Sequence, residues 1–338
     1  MNKVIPKRFE KEIFPNIDSF NKNYFYLQFK FMKIIPAYYI INKALIEKKI
    51  NKNTVIIESS SGNFAYGLSV VCSYYGIKLI IIGDKNIDKK LQNKLRSLGA
   101  KLVLVDSFNN KNIQTIRLNE LQLQINKHKK NYFWPKQYDN PDNYKSYNLL
   151  EKYLKANLDL KNIDYLISPV GSGGNSAGFY NLIKKYNKNL KLIGVDSVNS
   201  VIFGKSNGIR NLRGPGSSIY PKNVKYKYFN KVFWVTDKES FTNAFKLFKK
   251  YKFKSSPCVG AVDLVSRVIQ SKYKKDRILA IFPEDNTRYL STALNLKWLK
   301  NNKLLSSKKR IQVQKIDKID PFFKKFSYMD WDNQKFKK

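Results

Sequence analysis

The chain has 338 residues, of which 43% are hydrophobic and 14% aromatic, so it is long and apolar enough to fold around a large core divided between two lobes. No apolar run reaches the roughly 18 residues that a membrane-spanning helix needs, and the charged start of the sequence is unlike a secretory signal, so we expect a cytoplasmic protein with no membrane partner. The net charge of +39 suggests a nucleic-acid function, but the lysines are spread along the whole chain and no recognisable nucleic-acid-binding module is present, so we expect no specific nucleic-acid partner.

Apolar strands alternate with amphipathic helices in two stretches of the sequence. The first stretch predicts a strand, a helix, a strand, a helix and a strand in residues 53–60, 62–76, 77–84, 88–99 and 100–106. The second stretch repeats this alternation in residues 163–186, 190–197, 231–251 and 276–286. Continuous runs of Val, Ile and Leu are typical of parallel strands buried on both faces, so the sequence predicts successive βαβ units and an α/β fold class.

A segment rich in Pro and Asn at residues 130–154 separates the two stretches and predicts a crossover between two lobes. We expect a smaller lobe of residues 36–148 and a larger lobe of residues 1–35 and 149–304. Residues 305–338 read as a basic, polar tail, and we expect its few aromatic residues to pack back onto the body.

Two strand-to-helix turns have the composition of anion-binding sites. Residues 59–63 (SSSGN) offer hydroxyls, backbone N–H groups and a helix N-terminus, although an ordinary helix cap is an equally open interpretation. Residues 170–175 (VGSGGN) follow a strand and form a glycine-rich turn suited to a phosphate. The second turn is neither a P-loop nor a good match to the dinucleotide-binding spacing.

Lys33 lies between an apolar strand and an apolar helix, in the run YLQFKFMKIIPAYYIINKAL. The segment alone leaves two interpretations open, a catalytic amine and a surface charge. His128, the only histidine, lies in the polar run NKHKKN, and Cys72 and Cys258 have no zinc-ligand spacing. We therefore predict neither a histidine-based triad nor a metal site.

The order of these segments resembles the fold-type-II pyridoxal-phosphate enzymes of the cysteine synthase family. The similarity covers residues 24–299, where ESSSGNFAYGLSVVCSYYGIKLIII is similar to that family's substrate-carboxylate loop and helix, and PVGSGGNSAG to its phosphate cup. GIRNLRGPGSSIYP and FPEDNTRYLST match later segments, and DSVNSVIFG is most similar to one branch, the N-(2-amino-2-carboxyethyl)-L-glutamate synthases. The resemblance implies a two-lobed architecture like that of the tryptophan synthase β-subunit, with parallel sheets in both lobes, pyridoxal 5'-phosphate as cofactor, small amino-acid substrates and a homodimer.

The resemblance implies a set of cofactor-binding residues. The run KIIPA, which begins at Lys33, resembles the sequence around the family's Schiff-base lysine, so Lys33 is implied to bind the cofactor and to carry the substrate's α-proton. The family's Asn-Pro-Gly-Gly-Ser-type loop before that lysine is missing here, and a solvated or structural Lys33 remains the alternative. Asn63 is implied to hydrogen-bond the ring hydroxyl. The cofactor phosphate is implied to bind Gly171, Ser172, Gly173, Gly174 and Asn175.

The substrate residues follow from the same resemblance. Arg210 and Arg213 flank a Gly-Pro-Gly loop at the cofactor mouth, and we expect them to bind a substrate phosphate; solvated loop charges are the alternative. The substrate carboxylate is implied to bind Ser60, Ser61, Gly62 and Gln137.

One position departs from the family pattern. The family has a serine beside the pyridine nitrogen, and here the matching stretch is SSPCVGA, so that hydroxyl falls on Cys258 or Val259. Cysteine is a weak hydrogen-bond donor and valine is none.

We expect a pyridoxal-phosphate-dependent β-replacement on a β-substituted serine, by resemblance O-phosphoserine, with an amine such as L-glutamate as the nucleophile. The product would be a diaminopropionate precursor for siderophores and peptide antibiotics. Addition of a thiol or sulfide, as in a cysteine synthase, is the second hypothesis. The third is a degenerate family member that acts as a binding partner, which the missing loop and the altered pyridine site suggest.

Overall fold

The structure is a computed structural model that describes residues 5–85, 87–106, 112–127, 131–306, 311–332 and 334, so His128 lies outside the described residues. Its strands are β1 (Asn16–Asn21), β2 (Tyr24–Gln28), β3 (Val55–Ser59), β4 (Lys78–Asp84), β5 (Ala100–Val105), β6 (Tyr132–Phe133), β7 (Tyr165–Pro169), β8 (Lys191–Ser197), β9 (Phe229–Val235), β10 (Ile278–Phe282), β11 (Gln314–Lys315) and β12 (Ser327–Asp330). Its α-helices are α1 (Lys7–Ile13), α2 (Ile34–Ile46), α3 (Asn63–Tyr75), α4 (Lys89–Ser97), α5 (Ile113–Lys127), α6 (Asp142–Lys145), α7 (Glu151–Asn157), α8 (Gly174–Lys184), α9 (Asp237–Tyr251), α10 (Pro257–Lys272) and α11 (Leu296–Asn301).

The smaller sheet has four strands in the order β5-β4-β3-β6, and every pair in it is parallel. Its central strands are apolar runs whose side chains are buried on both faces, as expected of strands covered by helices on either side. The elements predicted in residues 53–106 are present in the predicted order as β3, α3, β4, α4 and β5. The α/β fold class is thus confirmed.

The larger sheet has eight strands in the order β1-β2-β10-β7-β8-β9-β12-β11. Its centre, from β2 to β9, is parallel, as the sequence predicts. The structure adds antiparallel neighbours on both sides of that centre, because β1 forms a hairpin with β2 and β12 runs against β9. The larger sheet is therefore mixed, with a parallel core.

The C-terminal segment packs onto the body, in agreement with the expectation drawn from its aromatic residues. Phe326 and Trp331, at the two ends of β12, are 2% and 1% exposed. Because β12 pairs with β9, it covers a strand edge that would otherwise present unpaired backbone groups. Within the described residues, no helix has both the length and the apolar character needed to cross a membrane.

The close packing of α3 against α2 fixes the position of Lys33. Gly67 of α3 lies directly over the backbone of Lys33, where a Cβ atom on Gly67 would come within 2.9 Å of the Lys33 carbonyl oxygen. Only a residue without a side chain allows the two helices to approach this closely. The start of α2 is thereby held beside the turn that precedes α3.

Candidate active site

Four strand ends from the two sheets converge on one cleft of about 560 Å³. The carboxyl ends of β2, β3, β7 and β10 lead into this cleft, and the turns after them supply most of its lining. Ligands of open parallel sheets bind at this end of the strands. The volume lies in the range of small-molecule and cofactor sites.

Lys33 is the amine of the cleft. It is the residue before the first turn of α2, and its Nζ atom donates a hydrogen bond of 2.9 Å to Ser172 Oγ in the glycine-rich turn. Burial lowers the pKa of Lys33 to about 8, and the charge of Glu58 opposes that shift in part. A fraction of this amine is therefore neutral near pH 7, which a nucleophilic amine requires.

The turn between β3 and α3 caps a helix with one residue and faces the cleft with others. Ser60 Oγ accepts a hydrogen bond of 3.2 Å from Ala65 N, so this hydroxyl caps the start of α3. Ser61 and Gly62 face the cleft, and a Cβ atom on Gly62 would meet no atom within 4 Å. The half-buried Gly62 therefore leaves room for a ligand group to approach α3.

The glycine-rich turn between β7 and α8 contributes Gly171, Ser172 and Asn175 to the cleft wall. Asn175 Nδ2 donates to Ser168 Oγ and Pro169 O at 2.9 Å, which ties the first turn of α8 to the end of β7. Among the residues that the structure describes, no side chain caps the N-terminus of α8. Its first N–H groups therefore suit an anion such as a phosphate.

Gly173 and Gly174 are absent from the cleft wall. Gly173 has a φ of +81°, and a Cβ atom there would lie 2.5 Å from Val224 N. A Cβ atom on Gly174 would lie 2.0 Å from Asn143 Oδ1. Glycine is required at these two positions because a side chain there would collide with neighbouring parts of the protein.

Asn63 belongs to a hydrogen-bonded chain of polar side chains on the cleft wall. Its Nδ2 atom donates to Glu284 Oε2 at 2.6 Å, and its Oδ1 atom accepts from Arg288 at 2.7 Å. Arg288 also donates to Asp88 Oδ2 at 2.8 Å, and Tyr289 OH donates to Glu284 Oε1 at 2.7 Å. The orientation of the Asn63 amide is thereby set. Sequence reasoning did not assign a role to Glu284, although its segment FPEDNTRYLST was matched to the family.

Gln137 and Glu58 form a buried pair beneath the turn that precedes α3. Gln137 Nε2 donates to Ser59 O at 3.1 Å, and Glu58 accepts from the backbone N–H groups of Ser59 and Gln137. Burial raises the pKa of Glu58 to about 7. Gln137 lines the cleft as well as supporting its floor. Glu58 was missed because it lies within an apolar strand.

Arg210 and Arg213 both line the cleft but have different surroundings. Arg210 is hydrogen-bonded to the carbonyl oxygen of Asn199, so its guanidinium stabilises the loop that carries it. Arg213 is exposed, and it makes no hydrogen bond or ion pair with any other residue that the structure describes. Of the two, Arg213 has the donors available for a ligand.

The loop at residues 214–216 lies over the glycine-rich turn. Gly214 and Gly216 have φ values of +101° and +93°, in the left-handed region that favours glycine. Gly216 N donates to Val170 O at 2.9 Å, and a Cβ atom on Gly171 would come within 2.4 Å of Gly214 O. The loop therefore forms one wall of the cleft.

Cys258 is buried in the first turn of α10 and is not part of the cleft wall. Its Sγ atom would lie 3.0 Å from a Cβ atom on Gly214, so it packs behind the 214–216 loop. Burial raises the pKa of its thiol, and the charge of Glu284 adds to that rise. Cys258 is thus a neutral, weakly donating neighbour of the cleft.

The fold and the cleft define an α/β protein with a buried amine and a helix N-terminus that face one cleft. The sequence profile of the family described as pyridoxal-phosphate dependent enzyme matches residues 29–284, and the chain belongs to this family. Pyridoxal phosphate is the cofactor of the family, in agreement with the prediction.

The relatives narrow the class to cysteine synthase-like enzymes. The N-(2-amino-2-carboxyethyl)-L-glutamate synthase of Cupriavidus metallidurans is 28% identical over 268 residues, which are 78% of this chain and 79% of that protein. The cysteine synthase of Buchnera aphidicola subsp. Schizaphis graminum is 31% identical over 271 residues, which are 75% of this chain and 82% of that protein. Both relatives agree with the resemblance to the cysteine synthase family that the sequence motifs indicated.

Solved structures agree on the fold. The O-acetylserine dependent cystathionine beta-synthase from Helicobacter pylori superposes with a TM-score of 0.77 at 23% identity, covering 87% of this chain and 100% of that chain. The cysteine synthase from Entamoeba histolytica superposes with a TM-score of 0.77 at 21% identity, covering 90% and 97%. The expected fold-type-II architecture is confirmed.

The residues of the cleft fit pyridoxal phosphate. An amine of lowered pKa suits an aldehyde, the uncapped N-terminus of α8 suits a phosphate, and the bare backbone at Gly62 leaves space beside them. Within the described residues, no cluster of three potential metal ligands occurs.

Proposed function

We propose that the chain catalyses a pyridoxal-phosphate-dependent β-replacement in which O-phosphoserine is the electrophile and an amine such as L-glutamate is the nucleophile. The substrate loses its α-proton and its phosphate, the amine bonds to the β-carbon and loses a proton, and the α-proton is then restored. The name of the relative from Cupriavidus metallidurans supports glutamate as the amine, since its product carries an aminocarboxyethyl group on glutamate.

We assign the chemical roles to residues that face the cleft. Bound pyridoxal phosphate supplies the electron sink that stabilises negative charge at the substrate's α-carbon. Lys33 holds the cofactor and takes and returns the α-proton, because burial lowers the pKa of its amine to about 8 and the amine can then exist in both protonation states near neutral pH. Ser61, Gly62 and Gln137 bind the substrate carboxylate at the start of α3.

The observation that carries the proposal is the arginine content of the cleft. The chain has 64 basic residues, of which only nine are arginine. Among the described residues, five basic side chains line the cleft, and four of these are Arg117, Arg210, Arg213 and Arg288. Because the guanidinium fork matches carboxylate and phosphate better than an ammonium does, this bias favours anionic substrates.

We assign the anionic groups of the substrates to two of these arginines, Arg213 and Arg117; Arg288 also has a buried Nε without a hydrogen-bond partner among the described residues. Arg213 is exposed at the cleft mouth without a partner among the described residues. Arg117 is 3% exposed and donates to Asp84 at 2.9 Å, while its buried Nε has no acceptor. The phosphate of O-phosphoserine and the side-chain carboxylate of glutamate would each bind one of these two arginines.

Addition of sulfide or a thiol is the second candidate function. The cysteine synthase of Buchnera aphidicola subsp. Schizaphis graminum, at 31% identity, favours it. A small neutral nucleophile would need no arginine beyond those that bind the serine ester, so the two functions differ in how they use the cleft. A degenerate binding protein is disfavoured, since the amine required for chemistry is present and partly neutral.

The first test is spectroscopic. Purified protein supplied with pyridoxal phosphate should show a visible absorption band, and borohydride should fix the cofactor on Lys33. Protein that stays colourless, or a label on another lysine, would remove the assignment of Lys33.

The second test compares substrates. Arg213→Met should raise the KM for O-phosphoserine about tenfold, the loss of one charge-assisted hydrogen bond, and change the KM for O-acetylserine less than about twofold. Arg277→Met is the matched control, because Arg277 pairs with Asp159 outside the cleft. A preference for O-acetylserine and sulfide in the wild type would favour the second function instead.

A further inference from the structure

Ser172 places a hydroxyl of the glycine-rich turn in the cleft wall, beside Lys33. The residue is 5% exposed, and its Oγ atom lies within hydrogen-bond distance of two nitrogen atoms. Lys33 Nζ is at 2.9 Å and Asn143 Nδ2 is at 3.3 Å. A hydroxyl has two lone pairs and one proton, so the direction of these two hydrogen bonds decides what Ser172 can offer to a ligand.

The amide of Asn143 can only donate to Ser172. Asn143 is fully buried in α6, and its Nδ2 atom lies 2.5 Å from the carbonyl oxygen of Gln137. That oxygen has lone pairs and no proton, so the amide cannot turn over without placing two oxygen atoms against each other. One proton of the Nδ2 group is therefore used by Gln137, and the second is directed at Ser172 Oγ.

The helix that carries Asn143 is tied to the helix that follows Lys33. Both carboxylate oxygens of Asp142, the neighbouring residue in α6, accept hydrogen bonds of 2.8 Å from Lys43 Nζ in α2. The same α2 begins directly after Lys33. Asn143 and Lys33 therefore approach Ser172 from two connected elements, which fixes the two nitrogen atoms relative to each other.

Both lone pairs of Ser172 Oγ are used by these donors. Lys33 is mostly an ammonium group at pH 7, and an ammonium group has no lone pair with which to accept. Among the residues that the structure describes, no group accepts the Ser172 proton. The O–H group is therefore left to donate into the cleft, where a phosphate offers oxygen acceptors and negative charge.

We propose that Asn143 is a positioning residue for the cofactor phosphate, because it holds the Ser172 hydroxyl as a donor directed into the cleft. Lys33 shares this task only until its nitrogen is engaged by the cofactor, so Asn143 is the donor that remains. The inference depends on the family's cofactor and not on the proposed substrates, so its failure would leave the proposed function standing.

The test compares pyridoxal phosphate with pyridoxal, which has the same aldehyde and no phosphate. Asn143→Ala in the cofactor-free protein should weaken the binding of pyridoxal phosphate about tenfold, the loss of one charge-assisted hydrogen bond, and change the binding of pyridoxal less than about twofold. Asn223→Ala is the matched control, because its buried amide donates to the carbonyl oxygens of Gln137 and Asn140 instead of to Ser172. The control should leave the ratio of the two dissociation constants unchanged. An unchanged ratio in Asn143→Ala, or an equal change in the control, overturns the proposal.

Variants of Ser172 show whether Asn143 acts through this hydroxyl. Ser172→Ala alone should weaken pyridoxal phosphate as much as Asn143→Ala does, and adding Asn143→Ala to Ser172→Ala should have no further effect. A further loss of about tenfold in the double variant would mean that Asn143 acts by another route, and the proposal would be wrong.

A second substitution covers the case in which Asn143→Ala does not fold. Asn143→Asp keeps the size of the side chain, but a carboxylate accepts the Ser172 proton instead of donating to Ser172 Oγ. We expect this variant to lose about tenfold or more in affinity for pyridoxal phosphate. An affinity equal to that of the wild type would refute the proposal.

Discussion

Replacing Lys33 by methionine in the cofactor-free protein should remove the pH dependence that this buried amine imposes on stability. Burial lowers the pKa of Lys33 from 10.5 to about 8, so the unfolded chain holds this proton more tightly than the folded chain. Between these two pH values, unfolding takes up a proton, and the free energy of unfolding therefore rises with pH. At pH 7 the amine is mostly charged and destabilises the folded state, whereas Lys33→Met has no charge to bury.

The magnitude follows from the two pKa values. Integrating the proton uptake from pH 7 to pH 9.5 gives about 2 kcal/mol of added stability in the wild type that the variant lacks. Urea unfolding of both proteins at several pH values across this range measures the difference, since effects of all other groups are shared. Lys22→Met, in the exposed turn after β1, is the control and should show no such trend. A difference between wild type and Lys33→Met that stays constant across the range would refute the lowered pKa.

Two further predictions concern residues outside the chemistry. Gly173→Val should lower the free energy of unfolding by ~2–4 kcal/mol, because the residue has a φ of +81° and a Cβ atom there would collide with the backbone of residues 223 and 224. Urea unfolding of the cofactor-free protein measures this loss. A variant that loses the cofactor but keeps its stability would contradict the prediction. Trp331→Ala should cost ~3–5 kcal/mol because this side chain is 1% exposed, whereas Phe322→Ala, at an exposed position in the same segment, should change thermal stability little.

The interior strands were predictable because one physical cause, burial on both faces, determines their sequences. The runs that form the central strands β3 and β4 are mostly apolar and buried, and Gly76 ends α3 with a φ of +66° as a glycine after a helix commonly does. By contrast, β12 has the short sequence SYMD without an apolar run. Its conformation comes from pairing with β9, and a pairing between segments this far apart in the sequence leaves no local signal.

In the site, sequence reasoning identified which turns meet but not what each residue does there. Lys33, Asn63 and Ser172 lie on three segments far apart in the chain, and all three line the cleft. Contacts with other parts of the protein require glycine at 173 and 174, and such contacts are invisible in one segment, whereas the binding of a phosphate by their backbone N–H groups stays a prediction. Glu284 could not be assigned because its neighbours Asn63 and Tyr289 are brought to it by the fold.

The pairing of β2 with β10 has a consequence for how the protein is made. All four strands of the smaller sheet have been synthesised by residue 133, so that sheet can form while the ribosome is still adding residues. Strand β2 can form its hairpin with β1 early, but its pairing with β10, in the register Tyr24–Ile278, has to wait because β10 is translated more than two hundred residues later. Pairings this distant in sequence form slowly. Lys33, five residues after β2, therefore belongs to a site that is assembled only near the end of synthesis.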